Sequence, residues 1–162
     1  MTHSATASDD NLCIACGICC DGTMLNRVVV TDETVVIALT GSPMLFEQGG
    51  GQRWFTQPCA AFDGCCSVYA SRPDMCREFK CTLLLEVERG DVSVEAARSV
   101  IDETIRARDR AVEAMRPLLP NVNVSFREMQ VTVGDQISRE TLDDVEIVND
   151  RLARYFFPAT RG

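Results

Sequence analysis

The chain has 162 residues, about one domain's length, and its 46% hydrophobic and 25% charged residues exclude a wholly disordered polymer. The formal charge is −8 and no stretch is rich in Lys or Arg, so counterion release from nucleic acid has little to draw on, and no nucleic-acid partner is expected. No apolar run approaches the ~20 residues of a membrane span, and Met1 to Asn11 lacks an apolar signal core. These features predict a soluble, cytoplasmic protein without membrane contact.

In chain order, 1–11 reads as a flexible tail and 12–162 as a single domain, with a cysteine-cluster region over 12–90 and a mainly helical cover over 91–162. All nine cysteines lie between Cys13 and Cys81. An odd count without an export signal argues against a disulfide scaffold and leaves metal ligands or buried thiols. The first cluster is Cys13, Cys16, Cys19 and Cys20. A two-residue gap lets one tight turn aim two thiolates at one cation. Gly17 and Gly22 permit the positive φ that folds backbone N–H groups toward sulfur. Adjacent Cys19 and Cys20 project in different directions, which suits two centres, or one bridging and one terminal role.

Arg27–Val30 and Thr34–Leu39 are β-rich runs around Thr31-Asp32-Glu33, and the simplest reading is a hairpin. After Gly49-Gly50-Gly51, the segment Arg53–Thr56 is expected to pair with a short strand over Ser67–Tyr69, bringing Cys59 toward Cys66. Trp54, Phe55, Phe62 and Tyr69 read as core or metal-shielding residues. The second cluster contains Cys59, Cys65, Cys66, Cys76 and Cys81, with Pro73 opening a short helix that carries Cys76. Arg72, Arg77 and Lys80 are the nearby cations in sequence. They matter because eight thiolates would add eight negative charges to the formal −8, of which two divalent cations would return four.

From Ser93 to Met115, Val94, Ala97, Ile101, Ile105, Val112 and Met115 recur at helical intervals. Val122, Val124, Phe126 and Val131–Val133 suggest extended structure before Gly134. Ser138 then caps a helix striped by Leu142, Val145, Val148, Leu152 and Tyr155, ending near Pro158. The two stripes either cover the cysteine-bearing core or meet a protein partner, and a dry shell around the cysteines favours cover. The fold class is therefore α+β: a small, cysteine-rich, metal-stapled domain with short strands and two longer C-terminal amphipathic helices.

The sulfur pattern resembles the YkgJ-type cysteine-cluster family, the zinc- or iron-chelating domain named for its CxxCxxCC motif. The resemblance rests on Cys13-x-x-Cys16-x-x-Cys19-Cys20, Cys59, Cys66-Ser67-Val68-Tyr69, Arg72-Pro73, Cys76-Arg77 and Cys81. It implies that Cys13, Cys16, Cys19, Cys20, Cys59, Cys66, Cys76 and Cys81 are the ligands. Cys65 stands where the pattern requires no sulfur, and His3 is a poor candidate. The resemblance stops before the C-terminal half. It implies a metal-binding protein holding zinc or iron, with structural zinc as the plain version.

The alternative is an iron–sulfur redox or methyl-transfer enzyme, or an accessory to one, because a branch of the family couples a similar cluster to methyl transfer from S-adenosylmethionine in larger proteins. Cys13–Cys19 also resembles the cluster loop of bacterial ferredoxins, although Cys20 and Asp21-Gly22 depart from that pattern. There is no Gly-rich nucleotide loop after a strand. Ser67, Asp21, Asp63 and Asp74 read as turn residues, and no catalytic or separate cofactor-binding residue is assigned. Cys65 is the one thiol left for reactivity.

Overall fold

The computed structural model describes residues 10–121 and 123–157. The segment expected to be a flexible tail lies outside them up to residue 9, as do His3, Val122 and Pro158. Asp10–Cys16 forms α1, which places Cys13 and Cys16 one turn apart on one face. The chain reverses at Gly17, φ 66°, whose carbonyl accepts from the N–H groups of Cys20 and Asp21 at 2.7 and 2.9 Å.

Arg27–Val30 is strand β1, as its β-branched residues predict. The expected hairpin partner is a helix instead: Glu33–Ala38 forms α2. Asp32 decides this locally, since its carboxylate accepts from the Thr34 N–H at 2.8 Å and the Thr34 hydroxyl at 2.6 Å, capping the first turn. Val35 and Leu39, four residues apart, are then buried while Ile37 is 66% exposed, a helical burial pattern that tertiary packing imposes on a β-prone sequence.

Glu47–Gly49 is β2 and Gln52–Thr56 is β3, joined by the Gly50-Gly51 turn. The sheet order is β1-β3-β2, all antiparallel, with Val28 opposite Phe55 and Glu47 opposite Trp54. The expected pairing of 53–56 with 67–69 therefore does not occur. Tyr69–Ser71 is a single 3₁₀ turn, and the contact that brings the second cluster together is an isolated bridge between Phe62 and Cys66. β1 and β2 occupy the two edges of β3, leaving none for 67–69, and Val28 and Phe55 bury together on the β1 side.

Pro73 precedes α3, Asp74–Glu78, which carries Cys76 as expected. Cys81 then caps α4, Thr82–Glu88, its sulfur accepting from the Leu84 N–H at 3.4 Å. Ser93 caps α5, Val94–Met115, and Ser138 caps α7, Arg139–Arg151, with a wide turn over Leu152–Phe156 continuing it. Between them the expected extended segment is corrected to a helix, α6, Phe126–Val133. A capping box explains it: the Ser125 hydroxyl accepts from the Glu128 N–H while Glu128 accepts from the Ser125 N–H at 2.8 Å. Phe126, Met129 and Val133 thus share a buried face at helical spacing.

Two apolar cores result. The larger is helical and includes Leu12, Ile18, Leu83, Ile101, Met115, Phe126, Val148 and Phe156; the smaller lies under the sheet and comprises Val28, Val30, Val35, Leu39, Met44, Phe55 and Ala61. Leu25 packs against both. Ala97, Ile101, Met115, Val145 and Val148 are buried, so the stripes of α5 and α7 serve as cover for the core. No helix among the described residues is long and apolar enough to cross a membrane. The architecture is α+β, with a small antiparallel sheet beside packed helices.

Candidate metal centre

The cysteine spacing acquires its meaning from how the two distant segments are joined. The Cys59 N–H donates to the Cys20 carbonyl at 2.7 Å, tying the second cluster to the end of the first. Phe62 closes over Gly17 so tightly that a Cβ there would lie 2.3 Å from its Cζ. Gly22, φ 82°, sits equally close to Pro58 and to Ser125 at the start of α6, with 3.2 Å between its would-be Cβ and each backbone. A side chain at Gly17 would strike the Phe62 ring and one at Gly22 would crowd two backbones, and both glycines have the left-handed backbone that disfavours one.

These contacts create one cavity of about 120 Å³. Its lining includes Cys13, Cys16, Cys19, Cys20, Cys59, Cys66, Cys76 and Cys81, of which Cys13 is exposed and the other seven are half-buried, and it omits Cys65, which is exposed. The remainder is largely apolar: Ile18, Leu25, Val28, Phe55, Phe62 and Phe156 contribute, as does Ile101 from α5. The C-terminal half thus helps to build a site whose sulfur comes wholly from the N-terminal half. No three His, Cys, Asp or Glu side chains among the described residues stand together as a ready-made ion cage. The thiols ring the cavity.

Burial governs their chemistry. It pushes the Cys16 thiol up to about 12 despite a hydrogen bond from the Ile18 backbone, with Cys81, Cys13 and Asp21 adding to the rise. Burial likewise raises Cys20 to about 12, followed by the charges of Cys59, Cys76 and Cys66. Cys76 rises to about 11 through burial and then Cys59 and Cys66, opposed by Arg72. Cys19 is pushed well up by burial and by Cys16, Cys20, Cys81 and Cys13, and burial also raises Cys59 and Cys81. At neutral pH these thiols keep their protons, and a thiophilic cation has to displace them.

The cations anticipated nearby divide. Arg72 lines the cavity, stacks 3.4 Å from the Tyr69 ring centroid and donates to the Tyr69 carbonyl at 2.9 Å. Arg77 pairs with exposed Asp74, and Lys80 pairs with Glu88 at 2.6 Å. The residue the sequence reading misses is Arg108 of α5. Its guanidinium pairs with Asp21, directly after Cys20, and donates to the Thr23 hydroxyl at 2.9 Å, while Asp21 accepts from the Thr23 N–H at 2.8 Å. Arg108 and Asp21 side chains are only 17% and 18% exposed, so this clamp holds the cysteine loop against the long helix. α5 contains four arginines, Arg98, Arg106, Arg108 and Arg110, and nothing local separates Arg108 from the solvated ones.

Gln57 is the second residue missed. It is 4% exposed, lines the cavity, and its Oε1 has no hydrogen-bond partner among the described residues. An unmet buried acceptor costs about 1–3 kcal/mol. Eight soft sulfur donors within a largely apolar wall fit a cavity built around an inorganic group.

The comparisons with known proteins agree with this chemistry. Residues 12–105, more than half of the chain, match the family model CxxCxxCC, described as "Putative zinc- or iron-chelating domain". No curated protein and no solved structure matches the chain.

Proposed function

Because the chain belongs to the CxxCxxCC family, we propose that it binds zinc or iron through Cys13, Cys16, Cys19, Cys20, Cys59, Cys66, Cys76 and Cys81, and that the metal completes the fold. The observation that carries this reading is the single cavity lined by those cysteines and not by Cys65. When bound, the metal would supply a strong bond to each soft thiolate donor in place of the thiol proton. The chain's own part is to hold the thiols around one dry space. Gly17 and Phe62 set the turn, Cys59 ties its backbone to Cys20, and the Asp21–Arg108 pair fixes the loop to α5.

An all-cysteine shell has no open position for activated water, so the arrangement serves structure, storage or transfer of the metal rather than metal-assisted hydrolysis. Free thiols in such number suit a reducing compartment, and we assign the protein to the cytoplasm on that ground.

One observation favours a second reading. Cys13, Cys16 and Cys19 share their surroundings with Cys81 at the start of α4, and three local sulfurs plus a remote fourth also suit an iron–sulfur cluster. In that case the protein is a redox or methyl-transfer enzyme or an accessory to one. Isolation without oxygen, with metal and acid-labile sulfide measured in one sample, separates the readings. Stoichiometric zinc or iron without sulfide supports chelation, the zinc form being colourless, and brown protein with sulfide supports the cluster. Metal-free protein that binds neither zinc nor iron on reconstitution under reducing conditions overturns both.

A further inference from the structure

The cavity is one, but the elements that carry its cysteines belong to two cores. α1, with Cys13 and Cys16, packs on α5, and so does α4, which Cys81 caps. Cys16, Cys19 and Cys81 pack against the helical core. On the other side, α3 packs on β1 and carries Cys76, and Cys59 and Cys76 both pack against the sheet core. Cys20 is bound to this second group by its carbonyl, which accepts the Cys59 N–H at 2.7 Å. Cys66 is joined to the same strip through its bridge to Phe62, three residues beyond Cys59.

We propose that the sulfurs form two separate four-thiolate sites divided at the Cys19–Cys20 peptide bond. Cys13, Cys16, Cys19 and Cys81 hold one thiophilic divalent cation on the helical core. Cys20, Cys59, Cys66 and Cys76 hold a second on the sheet core. This deepens the chelation reading and rests on it.

Cys19 packs against the helical core while the Cys20 carbonyl is tied to Cys59 on the other side, so the doubled cysteine is the natural place for two shells to meet without sharing a sulfur.

The two sites also differ in what they support. The sheet core has seven buried residues under strands of four, three and five residues, too little for independent stability. The helical core is much larger. Loss of the second cation therefore loosens the sheet region toward faster amide exchange, and loss of the first leaves the helices packed.

The test is reconstitution of the reduced, full-length chain with isotopically labelled cadmium, read by stoichiometry, cadmium NMR and hydrogen exchange. Two cations per chain, two resonances in the all-sulfur range and no cadmium–cadmium coupling are expected. Cys13→Ser and Cys66→Ser each remove one cation and one resonance, a different one in each case. Cys66→Ser speeds amide exchange in β1 and β3, and Cys13→Ser leaves it unchanged. One cation per chain, coupling through a shared sulfur, or loss of both resonances in each variant while its helices stay protected overturns the division but not chelation. A wild-type chain that takes up no cadmium overturns chelation itself. Titration of the wild type settles stoichiometry and coupling even where a variant does not fold.

Discussion

Gly17→Ala tests the joint between the two cysteine segments. Two costs combine there. An L residue at φ 66° adopts left-handed backbone, at about 1–2 kcal/mol. Its Cβ would also lie 2.3 Å from Phe62 Cζ and 3.0 and 3.1 Å from the neighbouring ring carbons. Ordinary carbon contacts begin near ~3.5 Å, so the ring has to withdraw from the turn it closes. Overpacking of this kind costs about 1–3 kcal/mol. The sum is about 2–5 kcal/mol. Gly64 supplies the control, since its φ is 71° and nothing lies within 4 Å of a Cβ built there. Gly64→Ala is therefore expected to show the backbone cost alone.

Urea unfolding of the reduced, metal-free protein measures both, and Phe62→Ala completes a double-mutant cycle. In the Phe62→Ala background, Gly17→Ala is expected to fall to the cost of Gly64→Ala. Equal costs for the two glycines in the wild-type background, or no relief from Phe62→Ala, would refute the claim that ring-on-glycine contact joins the clusters.

Three further outcomes follow from the same geometry. Arg108→Ala should destabilise by about 1–3 kcal/mol, between an exposed and a fully buried ion pair, and a cycle with Asp21→Asn should show most of that as coupling; additivity within about 0.5 kcal/mol would dismiss the clamp. In the metal-free protein, burial raises Cys16, Cys20 and Cys76 from 9.0 to about 12, 12 and 11. The folded state then binds more protons than the unfolded one between about pH 9 and about pH 12, so stability is intact below that window and falls as pH rises through it, and a urea midpoint that stays flat from about pH 8 to about pH 11 would contradict this. Cys65→Ser should leave metal content unchanged, because its thiol lies outside the cavity lining; a lost equivalent of metal would place Cys65 in a shell.

Much of the fold is legible because some signals are local and others are not. Ser93 and Ser138 with apolar residues at helical spacing give α5 and α7, since cap and stripe reinforce each other along one segment. Thr34–Leu39 misleads because β-branched residues suit a strand, and only the Asp32 cap and the burial of Val35 and Leu39 select a helix. The signal was present in Asp32-Glu33-Thr34, but it competed with a stronger propensity. Phe126–Val133 repeats this lesson: Ser125 and Glu128 have capping-box spacing, which outweighs the three β-prone residues Val131–Val133. Sheet order is a different case, because the choice of β1 over 67–69 as the partner of β3 depends on long-range packing of Val28 on Phe55.

The site divides along the same line. Cysteine spacing and the family resemblance pick out eight sulfurs in the sequence, and all eight line one cavity. Gly17 and Gly22 are legible as turn glycines, whereas their partners Phe62 and Ser125 are not, because each comes from a remote segment. Arg108 and Gln57 carry no motif. One is an arginine among several on a helix, and the other is recognisable only by the burial of its amide.

X-ray absorption at the metal edge, on protein isolated without oxygen, examines the inner shell directly. The account predicts sulfur scatterers alone, about four per metal and near ~2.3 Å if the metal is zinc. A shell containing nitrogen or oxygen ligands, or fewer than about three sulfurs per metal, would contradict it.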